Sequence, residues 1–343
     1  MHQACLAWFI GAALLGPVAA QTVDLAIAAK KGDRAAFVYT QSARQAIDLA
    51  GQEMTAAQDL AQELDLTVLD VGADGTLTVE LRVTRIRGSV QMPTVDPVAF
   101  DSKPAAGRQA GEPGAAAEEP SDAVDMPVAA ALDTLVRALV DRAFTATVER
   151  DGTVVKVAGA SEAIDAAKAK AGDGAAVLHG LLTEDGMKRM VAAAFGERPK
   201  AAIAAGDGWD GRTQADRGRS IPTIHKPKFT LAKVDAGEAE IAVAGAIELL
   251  QPAAEDEGEG EAAAAAAARR QMLANAKIEN ATIAGAVALS RRDGFVLRAE
   301  VKSAWDVKGL ETPDGDMRIA VTSTTTCVRQ PRDSERAKPA AGK

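Results

Sequence analysis

The sequence predicts an α+β fold dominated by antiparallel sheet, built from long hairpins in two similar halves, with a few helices packed on one face. Three observations carry this reading. Several segments alternate apolar and polar residues with period two, the mark of strands with one buried face. Asp-Gly pairs, which tolerate the positive φ angles of tight hairpins, separate such segments. Apolar residues at helical spacing lie mostly in the middle of the chain.

Taken in order, the chain opens with an apolar run from Cys5 to Ala19, too short to span a bilayer comfortably, since a spanning helix needs roughly 20 apolar residues. It ends in Val18-Ala19-Ala20, a small-residue site of the kind signal peptidase cuts, so residues 1–20 read as a secretory signal. The region before the run carries His2 and no Lys or Arg, and an uncleaved anchor is the alternative. Cys5 leaves with the signal, so the mature chain keeps Cys327 alone and forms no internal disulfide. No later segment is long and apolar enough for a spanning helix.

Residues 21–102 form the first β-rich half. Leu66–Val71 and Thr76–Ile86 flank Asp74-Gly75, and Leu77, Val79, Leu81 and Val83 share one face. Residues 103–122, rich in Pro, Ala, Gly and Glu, read as a flexible linker. Residues 123–195 hold the helices and a hairpin. Val128, Leu132, Leu135 and Leu139 mark an amphipathic helix over Val128–Arg142. Phe144–Glu149 and Thr153–Val157 flank Asp151-Gly152. Ser161 is placed to cap a helix over Glu162–Lys170, and Thr183 another with Met187, Met190, Val191 and Phe195 as its stripe.

Residues 196–330 form the second β-rich half. Phe229–Lys233 and Glu238–Ile247 flank Asp235, and Ala284–Ser290 and Phe295–Trp305 flank Asp293-Gly294. Phe295, Leu297, Ala299, Val301 and Trp305 share one face, as do Met317, Ile319, Val321 and Cys327. An acidic and alanine-rich insert covers 252–268, and 331–343 is a charged tail. Both halves begin with Gly-Asp before an aromatic, at Gly32-Asp33 before Phe37 and at Gly206-Asp207 before Trp209, which suggests duplication.

The order of these features resembles a family of secreted bacterial domains of unknown function. The residues concerned are Lys31-Gly32-Asp33 with Phe37 and Tyr39, Val68 to Gly75, Phe100-Asp101-Ser102, Val157-Ala158-Gly159, the Met-containing helix ending in Phe195, and Gly206-Asp207-Gly208-Trp209. The resemblance covers about Leu25 to Val328 and implies no activity. The alanine-rich core and the acidic run at Glu255–Glu261 depart from it.

Chemistry is weakly signalled. The 343 residues carry a net charge of −9, which argues against nucleic acid or anionic lipid as main partner. His179 and His225 lack close His or Cys companions, so no metal site is read. No nucleophile-elbow motif supports a serine triad, so no catalytic residue is assigned. The acidic run lacks the ordered ligands and fixed Gly of a calcium loop. Arg217-Gly218-Arg219 and His225-Lys226-Pro227-Lys228 read as solvated basic patches. Cys327 reads as a buried, inert thiol. Asp207 and Trp209 are candidate binding residues, with Trp209 as a stacking ring, though turn chemistry alone explains the Gly-Asp-Gly step. Trp305 is the other candidate ring, at the end of an inward-facing set. No cofactor is implied. The expectation is an exported, non-enzymatic protein that binds a partner in the cell envelope. The alternative is a periplasmic carrier of a lipid or another hydrophobic ligand, held between sheet and helices.

Overall fold

The computed structural model describes residues 22–93, 96–103, 125–171, 183–216, 221–250, 267–268, 270–312 and 315–331. The expected signal, nearly all of the linker and of the 252–268 insert, His179, Arg217-Gly218-Arg219 and all but the first residue of the tail lie outside them.

Among the described residues, thirteen strands form one antiparallel sheet. They are β1 (Arg34–Leu49), β2 (Gln52–Val71), β3 (Leu77–Gln91), β4 (Val98–Asp101), β5 (Ala143–Val148), β6 (Val154–Ala158), β7 (Gly208–Asp210), β8 (Gln214–Asp216), β9 (Thr223–Val234), β10 (Glu238–Leu249), β11 (Lys277–Ser290), β12 (Val296–Thr312) and β13 (Gly315–Gln330). Their order is β6-β5-β3-β2-β1-β13-β12-β11-β10-β9-β7, with β4 on β3 and β8 on β9. The sheet is open, and its first and last long strands meet at its centre, from Ala36↔Gln330 to Leu49↔Met317.

The Asp-Gly turns close as the sequence predicts. Asp74, Asp151 and Asp293 each accept a backbone N–H two residues on, at 3.0, 2.9 and 3.1 Å. Asp235 accepts from Gly237 and Glu238 at 2.9 and 2.8 Å. These local bonds compensate the backbone groups that a turn withdraws from the ladder.

The first hairpin differs from its sequence reading. Its strand does not begin at Leu66 but at Gln52, and β1 precedes it. The Ala-, Gln- and Glu-rich stretch between Ala43 and Glu63 has the composition of a helix. It is extended because it pairs along its full length, Leu49↔Gln52 through Arg34↔Thr67.

Among the described residues, α1 (Asp125–Leu139) and α3 (Glu184–Phe195) carry the predicted stripes, with α1 ending three residues before the expected Arg142, and α2 (Ala160–Ala171) covers the helix expected over Glu162–Lys170. Leu132, Leu135 and Leu139 of α1 and Met187, Met190, Val191 and Phe195 of α3 are buried. The Thr183 hydroxyl accepts from Gly186 N–H at 3.0 Å, the expected N-cap. Ser161 differs: α2 starts before it, and its hydroxyl donates to Glu184 at 2.7 Å, tying α2 to α3.

The strand register puts both apolar clusters on one face of the sheet. One cluster gathers Phe37, Tyr39, Leu64, Leu66, Leu81, Phe144 and Cys327 beneath the helices. The other gathers Leu231, Ile241, Trp305, Val307, Leu310, Ile319 and Val321. Phe295 joins Phe195 and Phe37, with ring centres 5.2 and 6.1 Å away, and the Arg329 guanidinium lies 5.6 Å from its ring centre. Helix α3 contacts β6 at one sheet edge and also β1, β12 and β13 near the centre. The sheet therefore curls toward the face that carries the helices.

Candidate functional site

Between the two apolar clusters, the helix-bearing face carries a band with a different composition. Direct cross-strand pairing sets one row as Gln41, Thr325, Val301 and Gly285 on β1, β13, β12 and β11. The next row is Gln58, Ala43, Ser323, Ser303, Ile283 and Gly245, from β2 to β10. Neither row contains a charged residue. All of these residues but Ile283, which is buried, are half-buried. Ser303 and Ser323 share a hydrogen bond of 2.8 Å across β12 and β13. Above the band sit Tyr39 and Cys327; below it sit Val321 and Trp305.

At two positions of the band the sheet leaves no room for a side chain. A Cβ on Gly245 would approach the Lys226 carbonyl oxygen to 2.6 Å, and one on Gly285 would approach that of Glu300 to 2.2 Å. Neighbouring backbones occupy the space that a side chain would need. The band is thus an uncharged strip of the sheet between two apolar clusters.

At its upper border, burial drives the Tyr39 phenol above its ordinary pKa, against the opposing effects of Arg189 on α3 and a bond with Thr325. Burial also pushes the Cys327 thiol up to about 12, so the thiolate needed for reaction is scarce at neutral pH. This agrees with the expected inert Cys327, which is buried and free.

The opposite face is charged. Arg298 pairs with Glu238 at 2.7 Å and Lys302 with Glu300 at 2.7 Å. Toward the β1–β2 and β12–β13 turns, a cleft of about 320 Å³ is lined by Ala46, Asp48, Glu53, Asp306, Lys308 and Arg318, among others. Its mixed charges and open form differ from the enclosed apolar cavity of a ligand site. Among the described residues, no group of three or more His, Cys, Asp or Glu side chains could hold a metal.

The three residues singled out from the sequence do not converge on one feature. Trp305 is 2% exposed, packed in the second cluster just below the band. Asp207 closes a turn, accepting from Ala204 N–H at 2.8 Å. Trp209 lies on the short strand β7, half-buried, stacked on Phe229 with ring centres 5.4 Å apart. Its indole N–H is buried without a partner.

Residues 115–296, just over half of the chain, match the model of a family of unknown function, DUF6263. The chain belongs to that family. DUF6263 carries no stated activity to import. No curated protein matches the chain. Among solved structures, lipovitellin, described for its lipid–protein interactions, is 11% identical with a TM-score of 0.38 over 92% of this chain. This DUF6263 protein spans 26% of the lipovitellin chain. An outer-membrane channel from Pseudomonas putida F1 is 9% identical, with a TM-score of 0.22 over 89% of this chain and 97% of that one. A DUF1329 family protein from Desulfovibrio piger is 9% identical, with a TM-score of 0.14 over 84% of each chain. All three TM-scores lie below 0.5 and carry no argument about what this chain does.

Sequence reasoning missed the band. Its legible traces were the alternation in β13, where Ser323 and Thr325 fall on the face of Val321 and Cys327, and that in β12, where Val301 shares the face of Trp305.

Proposed function

We propose that this protein is exported and serves the cell envelope, without catalysing a reaction, as a carrier of an elongated, uncharged, hydrophobic guest. The observation that carries this reading is the uncharged, half-buried band on the inward-curled face, with an apolar cluster on either side. A guest lying there trades water for apolar walls, while the Gln, Ser and Thr groups of the floor bond to one another or to the guest. A flat docking strip has less support. The large apolar residues exposed among those described are Leu69, Val71, Val155 and Val328, which are spread over three strands. The apolar run ending at Ala20 supports export.

Two measurements test this proposal. N-terminal sequencing of the exported protein is expected to begin at or near Gln21; retention of Met1 on a membrane-bound product counts against cleavage. Titration with N-phenylnaphthylamine, an uncharged apolar fluorophore, is expected to give a saturable, blue-shifted enhancement. Ser323→Trp, which fills the floor of the band, is expected to weaken that binding by roughly tenfold or more, about 1.4 kcal/mol. Equal binding by a folded Ser323→Trp protein removes the band as the site.

A further inference from the structure

Arg198 is 3% exposed and lies where four separated segments meet. Its guanidinium donates to the carbonyls of Leu25 in the N-terminal strap, at 3.1 Å, of Phe195 at the end of α3, at 2.5 Å, and of Gly294 in the β11–β12 turn. Its own backbone N–H donates to Asp151 in the β5–β6 turn at 3.1 Å. The strap is fastened just before this point by the Val23↔Ile203 bridge and by Asp24 on Arg150 at 2.5 Å, and just after it by the Ile27 N–H on the Arg150 carbonyl at 3.5 Å. The segments touch closely, since a Cβ on Gly294 would come within 2.9 Å of the Ile27 Cα.

The chemistry of this junction is unlike that of the core. Its bonds are directional and run to neutral carbonyls. Asp293, Asp151 and Asp24 are close enough to favour the cation, but they bond to Arg329, Thr153 and Arg150 instead. The Nε–H is buried with no partner. Burial without a bonded counter-charge lowers the Arg198 pKa to about 9. A cation held this way regains its hydration when the junction opens, so opening here costs less than parting an apolar contact of the same size. The junction also joins the β5–β6 edge of the curled sheet to the β11–β12 turn.

We infer that the four-way junction at Arg198 is a clasp on the curled sheet, and that its opening admits the guest to the band beside α3. This rests on the carrier reading above. A clasp of this kind gates entry and exit together, so loosening it speeds both rates and leaves equilibrium affinity nearly unchanged.

The test combines hydrogen exchange with stopped-flow uptake of N-phenylnaphthylamine on the full mature chain. In Arg198→Met, three carbonyls lose their donor. Peptides covering the strap, the β5–β6 turn and the β11–β12 turn are expected to exchange together, about tenfold faster or more than in the wild type. Peptides from β9 and β10 keep their wild-type rates. Probe association and dissociation both accelerate. Arg198→Lys, which can reach fewer of the carbonyls, falls between the two. Uniformly faster exchange across the sheet, or unchanged probe rates despite a loosened junction, overturns the gate. If Arg198→Met does not fold, Asp24→Asn removes the outer ion pair of the strap and is expected to accelerate the same peptides by a smaller factor; no acceleration there overturns the clasp. A wild-type protein that takes up no probe refutes the carrier reading and the gate with it. The exchange pattern then decides separately whether the junction opens as one unit.

Discussion

Trp305→Ala is expected to lower the unfolding free energy by about 3–5 kcal/mol, the cost of emptying the site of a fully buried large aromatic side chain. Trp305 is 2% exposed and packs in the second cluster with Val307, Leu310 and Val321. Its place on β12 is fixed by pairing with Val321 of β13, so the walls of the resulting cavity belong to the central ladder and cannot collapse easily. Urea unfolding measures the loss. Trp209→Ala serves as the contrast. That ring is half-buried on a three-residue edge strand and stacks on Phe229, so its loss is expected to cost only about 1–2 kcal/mol. A Trp305→Ala protein of unchanged stability that no longer binds N-phenylnaphthylamine would move this ring from the core to the guest.

Gly152→Ala is expected to destabilise by about 2–5 kcal/mol, from left-handed backbone strain and a steric clash combined. Gly152 has φ +86°, and a Cβ there would sit 2.1 Å from the Gly196 carbonyl oxygen. That oxygen belongs to the loop leaving α3, two residues before Arg198, so the methyl group forces the β5–β6 turn off the junction. Gly32→Ala separates the two causes. Gly32 has φ +89° with open space around it, so it loses only the conformational part, about 1 kcal/mol. Equal urea midpoints for the two variants would mean that the β5–β6 turn is free to move away from Gly196.

Local rules made much of the fold legible. Four hairpins were readable because an Asp that bonds its own turn is a short-range device, complete within three residues. The stripes of α1 and α3 were readable because helical spacing alone decides which side chains face a neighbour. Cys327 was legible as a buried residue because Val321 and Ile319 share its strand face.

The stretch from Ala43 to Glu63 shows where such rules end. Its alanines, glutamines and glutamates suit a helix on either side of Gly51, which turns the chain at φ +87°. It is a strand because β3 and β13 supply hydrogen-bonding partners on either side of the β1–β2 hairpin, and the β13 partners lie more than 260 residues away in sequence. The same long-range pairing decides the candidate site. Gln41, Ser303, Ser323 and Gly285 are unremarkable residues in separate strands, and only the register of β1, β13, β12 and β11 lays them side by side. Arg198 likewise reads as one more surface arginine until the strap, two turns and the end of α3 converge on it. The chain by itself determined its hairpins, its helix faces and its inert thiol, because each depends on contacts within a few residues. The tertiary structure alone decided the central ladder, the uncharged band and the buried cation, because each depends on groups far apart in sequence that meet only once β1 has paired with β13.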